Sequence, residues 1–181
     1  MAFHDKVYGA GLRNGYIRTA DGVFHDIEAI INIESDISQE DTEIPGDDQI
    51  KAVMSSGRRE ELTITANAVT LDVITSITGN SVSSSAGGAE IALGSDLELN
   101  PVFVEVGGEV VGKSSTGVAV TIRKIWHKVQ LGQTKVNWGN GNELSVEITG
   151  NAYPSAVDIT GAALASSRVA TLKVDNGLPR A

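Results

Sequence analysis

The chain has 181 residues and no cysteine, with 41% hydrophobic and 20% charged side chains and a formal net charge of −9. That balance fits one globular domain with a sizeable core, since folding at this length removes roughly 70% of the extended-chain surface. It excludes disulfides and thiolate metal sites, and the acidity excludes nucleic-acid binding through the whole surface, which needs clustered Lys and Arg.

No apolar run approaches the ~20 residues of a membrane span. The opening MAFHDKVYGAG lacks the charged-then-apolar pattern of a secretion signal. The expectation is a soluble protein made in the cytoplasm. Aromatics are only 4% while glycines number 20. Aliphatic side chains must therefore supply the core, and frequent turns suit an all-β fold.

In chain order, Tyr16, Ile17 and Arg18, the Asp21-Gly22 turn, and Val23-Phe24 predict a hairpin. The next strand covers 29–34, with Ile31 and Ile33 on one face. From 36 to 61 the sequence reads DISQEDTEIPGDDQIKAVMSSGRREE, and the apolar pattern breaks down. That is too long for an ordinary loop in a compact domain. Either it is disordered or it orders against something else, and the expectation adopted is an arm over 36–60 that its own subunit leaves unpaired and a neighbouring copy completes.

Regularity returns with a strand at 62–65. One helix is predicted over 69–78, where Val69, Val73 and Ile77 recur four apart with Leu71 and Ile74 beside them. Asn67 is the expected cap, Asp72 suits the early turns, and Gly79 suits the end. Residues 80–90, NSVSSSAGGAE, read as a flexible Ser/Gly loop. Strands then follow one another. Val102, Val104 and Val106 alternate, as do Val118, Val120 and Ile122 in a run carried on to Val129. Asn140-Gly141-Asn142 signals a hairpin turn. After it Leu144, Val146 and Ile148 face one way while Glu143, Ser145, Glu147 and Thr149 face the other. Residues 155–181 read as a small, polar C-terminal extension of this single domain, with one further strand near 169–174. Strands on both sides of one helix predict a sandwich or curled sheet with the helix packed against it.

Charge is segregated. Between Ile33 and Asp48 stand seven acids, Glu34, Asp36, Glu40, Asp41, Glu43, Asp47 and Asp48, and no Lys or Arg. Between Val110 and Asn142 stand five bases, Lys113, Arg123, Lys124, Lys128 and Lys135, and no Asp or Glu. Each set reads as a solvated face, or the acidic arm of one copy meets the basic strands of the next.

One motif carries a known chemistry. Residues 107–114, GGEVVGKS, match the phosphate-loop pattern G-x-x-x-x-G-K-[ST] at every fixed position. A working loop needs a helix to start near Lys113 so that backbone N–H groups wrap the phosphate. Here Gly117 and β-branched alternation follow instead. The preferred reading is a β-hairpin with turns at Gly107-Gly108 and over 114–117. His4, His25 and His127 show no metal spacing. No G-x-S-x-G turn occurs, and the acids of 34–48 do not fit an EF-hand. Trp126 and Trp138 read as core or interface anchors. No catalytic, cofactor or metal site is predicted.

The strand–helix–Gly order in ELTITANAVTLDVITSITG, residues 61–79, resembles the same stretch in siphophage major tail (tail tube) proteins. The segment 36–59 sits where that family carries a long arm, and the strands up to Tyr153 sit where it completes its sheets. The resemblance implies a mainly β subunit: a β-sandwich or curled β-barrel with one flanking α-helix and a long inter-strand arm. It implies six copies in a ring, rings stacked into a tube in the virion tail, and DNA passing without specific binding through an acidic channel. Its partners would be further copies of itself and the tape-measure, terminator and distal tail proteins. On that reading the inter-ring arm uses Asp36, Glu40, Asp41, Glu43, Asp47 and Asp48. Arg123, Lys124, Lys128 and Lys135 make a complementary contact. Glu105, Glu143, Ser145, Glu147 and Thr149 line the channel, where like charge repels phosphate. The alternatives are another virion β-protein, such as a head decoration protein, a tail terminator or a fibre domain, and a nucleotide-dependent enzyme acting through 107–114.

Overall fold

The structure, a computed structural model, describes residues 7–27, 29–46, 49–78, 82–85, 87–91, 102–114, 117–137 and 145–176. Among these residues are twelve strands and one helix, in the order β1 Val7–Arg18, β2 Phe24–Ile27, β3 Ile30–Gly46, β4 Gln49–Ala66, α1 Leu71–Thr78, β5 Val82–Ser85, β6 Gly88–Ile91, β7 Phe103–Ser114, β8 Ala119–Asn137, β9 Ser145–Ala152, β10 Ser155–Val157, β11 Ala163–Arg168 and β12 Ala170–Asn176. The main sheet is antiparallel in the order β2-β1-β7-β8-β9-β4-β3, with β12 added to β8. The fold is therefore mainly β, as expected, and the sheet curls without closing into a barrel.

Curling follows from where small and large side chains fall. Val106, Trp126, Val129, Ile148, Ile64 and Leu62 line the inner face with Ile17, and all are buried. Ile30 and Ile33 of β3 pack onto that cluster from the far end of the strand order. Ile30 lies against Gly15 of β1, where an added Cβ would sit 2.3 Å from its Cδ1. Glycine at that position lets the two ends of the sheet approach. Each fully buried Ile, Leu or Val contributes about 1.5–3 kcal/mol. Ile31, expected to share a face with Ile33, is instead 53% exposed. The β3–β4 register slips between Ile30 and Asn32, so a bulge turns Ile31 outward.

Helix α1 starts at Leu71, two residues later than predicted. The Val73 N–H donates to Thr70 Oγ1 at 3.4 Å, so Thr70 is the cap, while Asn67 donates its backbone N–H to Ala29 O at 3.0 Å. Val73 and Ile77 enter the core. Gly79 and Asn80 lie outside the described residues. The Ser/Gly stretch is not a plain loop: β5 and β6 pair antiparallel as a short hairpin, for which Ser and Gly side chains suffice because neither strand joins the core sheet.

β8 organises the rest. Along one edge it pairs with β7. Its other edge is shared: residues 120–126 pair with β12 and residues 129–137 with β9. The change of partner coincides with a register irregularity opposite Val104 and Val106. The C-terminal region is thus no appendage, because β12 is a full member of the main sheet.

Candidate assembly surfaces

The segment expected to be unpaired pairs with itself. β3 and β4 pair antiparallel from Ile30 opposite Ala66 to Gly46 opposite Gln49, with register slips on the way, and Asp47 and Asp48 lie outside the described residues. β9 pairs only residues 60–66 of β4. Past the rung Ser38–Arg59, among the described residues, the hairpin is a two-stranded ribbon with no third strand. At ~3.3 Å per residue that ribbon is about 30 Å long. Its hydrogen bonds are backbone to backbone and place no demand on side-chain alternation, which is why a sequence without period forms it. Glu40, Asp41 and Glu43 lie along its β3 strand. Asp36 stands at its root and is exposed.

Behind the root, the outward face of β3-β4-β9-β8 is polar. Its cross-strand rows are Asp36–Glu61–Asn151, Glu34–Thr63–Thr149 and Asn32–Thr65–Glu147–Lys135. The expected alternation of β9 is observed: Val146, Ile148 and Gly150 are buried, while Ser145, Glu147 and Thr149 are half-buried on the outer face. Asp36 and Glu61 are direct cross-strand partners. Like charges so placed destabilise a sheet. Arg59 offsets part of this, with its Nη2 3.8 Å from Glu61 Oε1. Glu143 lies outside the described residues.

Glu105 is not on an open wall. It is 4% exposed and held by Arg18 Nη1 at 3.7 Å and His127 Nδ1 at 3.3 Å. His127 Nε2 is 2.7 Å from Thr171 Oγ1, so this network ties β1, β7, β8 and β12 together. A carboxylate buried among its own chain's partners cannot line a channel, and the earlier expectation for Glu105 is corrected.

The basic strand also has partners at home. Arg123 Nε donates to the fully buried Glu109 Oε1 at 2.7 Å, and its Nη1 is 3.3 Å from Asp175. Asn14 Nδ2 donates to the other Glu109 oxygen at 3.1 Å. Lys124 Nζ donates to Glu60 Oε1 at 2.7 Å and to Ser35 Oγ at 2.9 Å, and lies 4.4 Å from the Trp126 ring centroid. Trp126 Nε1 donates to Glu60 Oε2 at 2.9 Å. Burial pushes the Glu60 carboxyl up, but the hydrogen bonds from Lys124, Ser35 and Trp126 outweigh it and hold the group below its ordinary range. Lys128 lies over the Phe103 ring at 4.6 Å, and Lys135 is 3.6 Å from Glu147 in an exposed pair.

Residues 107–114 lie within β7, with Gly107 paired to Tyr16 on one side and Ile125 on the other. Gly107 and Gly108 are therefore mid-strand and not at a turn. An added Cβ at Gly107 would sit 2.3 Å from the Tyr16 ring. The glycine pattern serves this close approach. A strand hydrogen-bonded on both edges has no free row of N–H groups to wrap a phosphate. The turn at 114–117 stands: Gly117 N–H donates to Ser114 O and Ser114 N–H to Val118 O, both at 2.9 Å.

Among the described residues no three His, Asp or Glu side chains cluster to hold a metal ion, and no helix is long and apolar enough to cross a membrane. Sequence reasoning missed Glu60 and Glu109. Counting back along β7 and β8 from the turn at 114–117 puts Glu109 opposite Arg123, so that pair was within reach; Glu60 was not, because its partners lie on distant strands. The chain matches no protein-family model and no curated protein.

Proposed function

We propose that this chain is a structural subunit of a phage tail tube, closing into rings, six copies each, that stack around a channel through which DNA passes. The observation that carries the reading is the β3–β4 ribbon. It projects about 30 Å beyond the sheet at ~3.3 Å per residue, has no third strand among the described residues and bears acids along its length. An unsupported two-stranded ribbon is marginal in water. It gains its partner surface from the ring above or below.

Three further features support this reading. β2, β3 and β12 each have an edge not paired within the chain among the described residues, and sister copies can extend the sheet there. The outward face of β3-β4-β9-β8 carries Glu34, Asp36, Glu61 and Glu147 against Arg59 and Lys135. That acid excess lets a phosphate backbone slide without sticking. The resemblance of residues 61–79 to siphophage major tail proteins points the same way.

The test is assembly. Purified protein is expected to show rings or tubes by negative-stain electron microscopy, on its own or when concentrated. Deleting residues 39–55 joins Ser38 to Ser56 and leaves a short turn before Arg59. That variant is expected to keep the wild-type circular dichroism and to form rings that no longer stack. Stacking that survives the deletion removes the ribbon from its role, and a wild type that stays monomeric at every concentration removes the tube reading.

A further inference from the structure

Glu60 occupies a particular place. It forms the last rung between β4 and β9, opposite Ala152, and one residue further on, at the rung Ser38–Arg59, the ribbon begins. Immediately past Ser38 the register slips, so the ladder itself is irregular where the ribbon leaves the sheet. Such an irregularity bends and twists its strand, and past it no third strand among the described residues holds that bend in place. Yet the carboxylate at this point is 6% exposed and both its oxygens are held, by Lys124 and Trp126 of β8. Lys124 reaches on to Ser35, so one ammonium grips both strands of the hairpin at its root. Beside it lies a groove of about 540 Å3, bordered by Glu60 and Lys124 themselves and by Ile37, Arg58, Arg168 and Leu172 among others, between the root and β12.

We infer that the Glu60–Lys124 pair is a hinge clamp: it ties the root of the β3–β4 hairpin to β8 and so fixes the direction in which the ribbon leaves the sheet. A hydrophobic pair would pack here as well, since buried ion pairs add little net stability over apolar ones of similar volume. What the pair adds is direction. Two charge-assisted bonds from one ammonium to both strands of the hairpin, with the indole N–H as a third point, orient a lever that packing alone would let rock.

The clamp is tested on the dispersed chain, so its fate is separate from that of the tube reading. The sequence has no cysteine, so nitroxide labels at Thr42→Cys and Lys173→Cys report ribbon against sheet without background. The wild-type background is expected to give one narrow distance distribution. The double variant Glu60→Gln/Lys124→Met removes both charges and leaves no buried charge unpaired; it is expected to keep its circular dichroism and to give a distribution about twofold broader, as a released hinge does. A distribution equally narrow in the double variant overturns the clamp, and so does one already broad in the wild type. A double variant that fails to fold overturns it too, because the pair would then belong to the core and not to a hinge.

Discussion

Glu60, Glu105 and Glu109 are buried in a chain of net charge −9, and each is held by a cation or imidazole of the same chain. Removing one partner from such a group leaves a buried charge uncompensated, a larger loss than the pair itself contributes. Arg123→Ala is expected to destabilise the chain by about 2–4 kcal/mol in urea unfolding, since the fully buried Glu109 would lose its 2.7 Å charge-assisted bond. Glu60 adds a pH dependence. Its carboxyl is depressed in the folded chain. Its contribution is therefore complete above the ordinary glutamate value of about 4.3 and is lost as pH falls through the lower folded value. Stability of the wild type is expected to fall more steeply through that acid window than stability of Glu60→Gln, read as urea midpoints at successive pH values. Legibility at this scale was uneven. Outward Glu147 and Thr149 followed from alternation alone. Glu105 sits in an equally regular run, yet it is buried, because β7 has neighbours covering both of its faces and alternation cannot report a second covered face.

At the scale of elements, the strands with apolar alternation were readable and those without it were not. β9 and the 62–66 end of β4 needed one face in the core, and their sequences say so. The ribbon half of β3 and β4 has no third strand beside it among the described residues, no apolar period marks its sequence, and backbone pairing defines it. The Gly107-Gly108 pair misled in the opposite sense, since a glycine pair expected at a turn lies mid-strand. Those glycines answer to the Tyr16 ring and to Leu12 and Ile33, which no local motif encodes. β12 is the element that reading the tail as an extension undervalued. It fills the edge of β8 from Val120 to Trp126 and supplies Thr171 to His127 and Asp175 to Arg123. Truncation after Arg168 is expected to cost the cooperative unfolding transition and to produce aggregation by light scattering, because it bares a long hydrogen-bonding edge beside apolar residues. A truncated chain that unfolds cooperatively at the wild-type urea midpoint would show that β12 is dispensable.

The whole molecule is acidic, and its described cations are largely engaged. Arg123, Lys124 and Lys135 face Glu109, Glu60 and Glu147 within the chain. Copies approaching one another therefore meet mainly like charge. Assembly is expected to be favoured by raising ionic strength from ~0.01 M to ~0.15 M, which shortens the screening length from about 30 Å to 8 Å. Light scattering against salt measures it. Faster assembly at the lowest salt would instead place attractive charge pairs between copies, as the segregated acids and bases first suggested. The fold class was legible because composition, turns and period agreed, and a curled sheet was among the forms they allowed; the contacts that set the curl, such as Ile30 on Gly15, were not, because they join strands distant in the sheet order.

The pairing scheme also sets a timetable for the ribosome. β3 and β4 are neighbours in the message and can zip together as soon as both have emerged. β1, by contrast, waits for β7, since Val7 lies opposite Ser114, and β8 waits for β12, since Trp126 lies opposite Ala170. The local hairpin is thus built first, and the sheet it leaves from is completed last. A nascent chain carries a finished β3–β4 hairpin long before the strands around β8 can close, so its most local contacts form while its most distant ones still wait for sequence that has not been made.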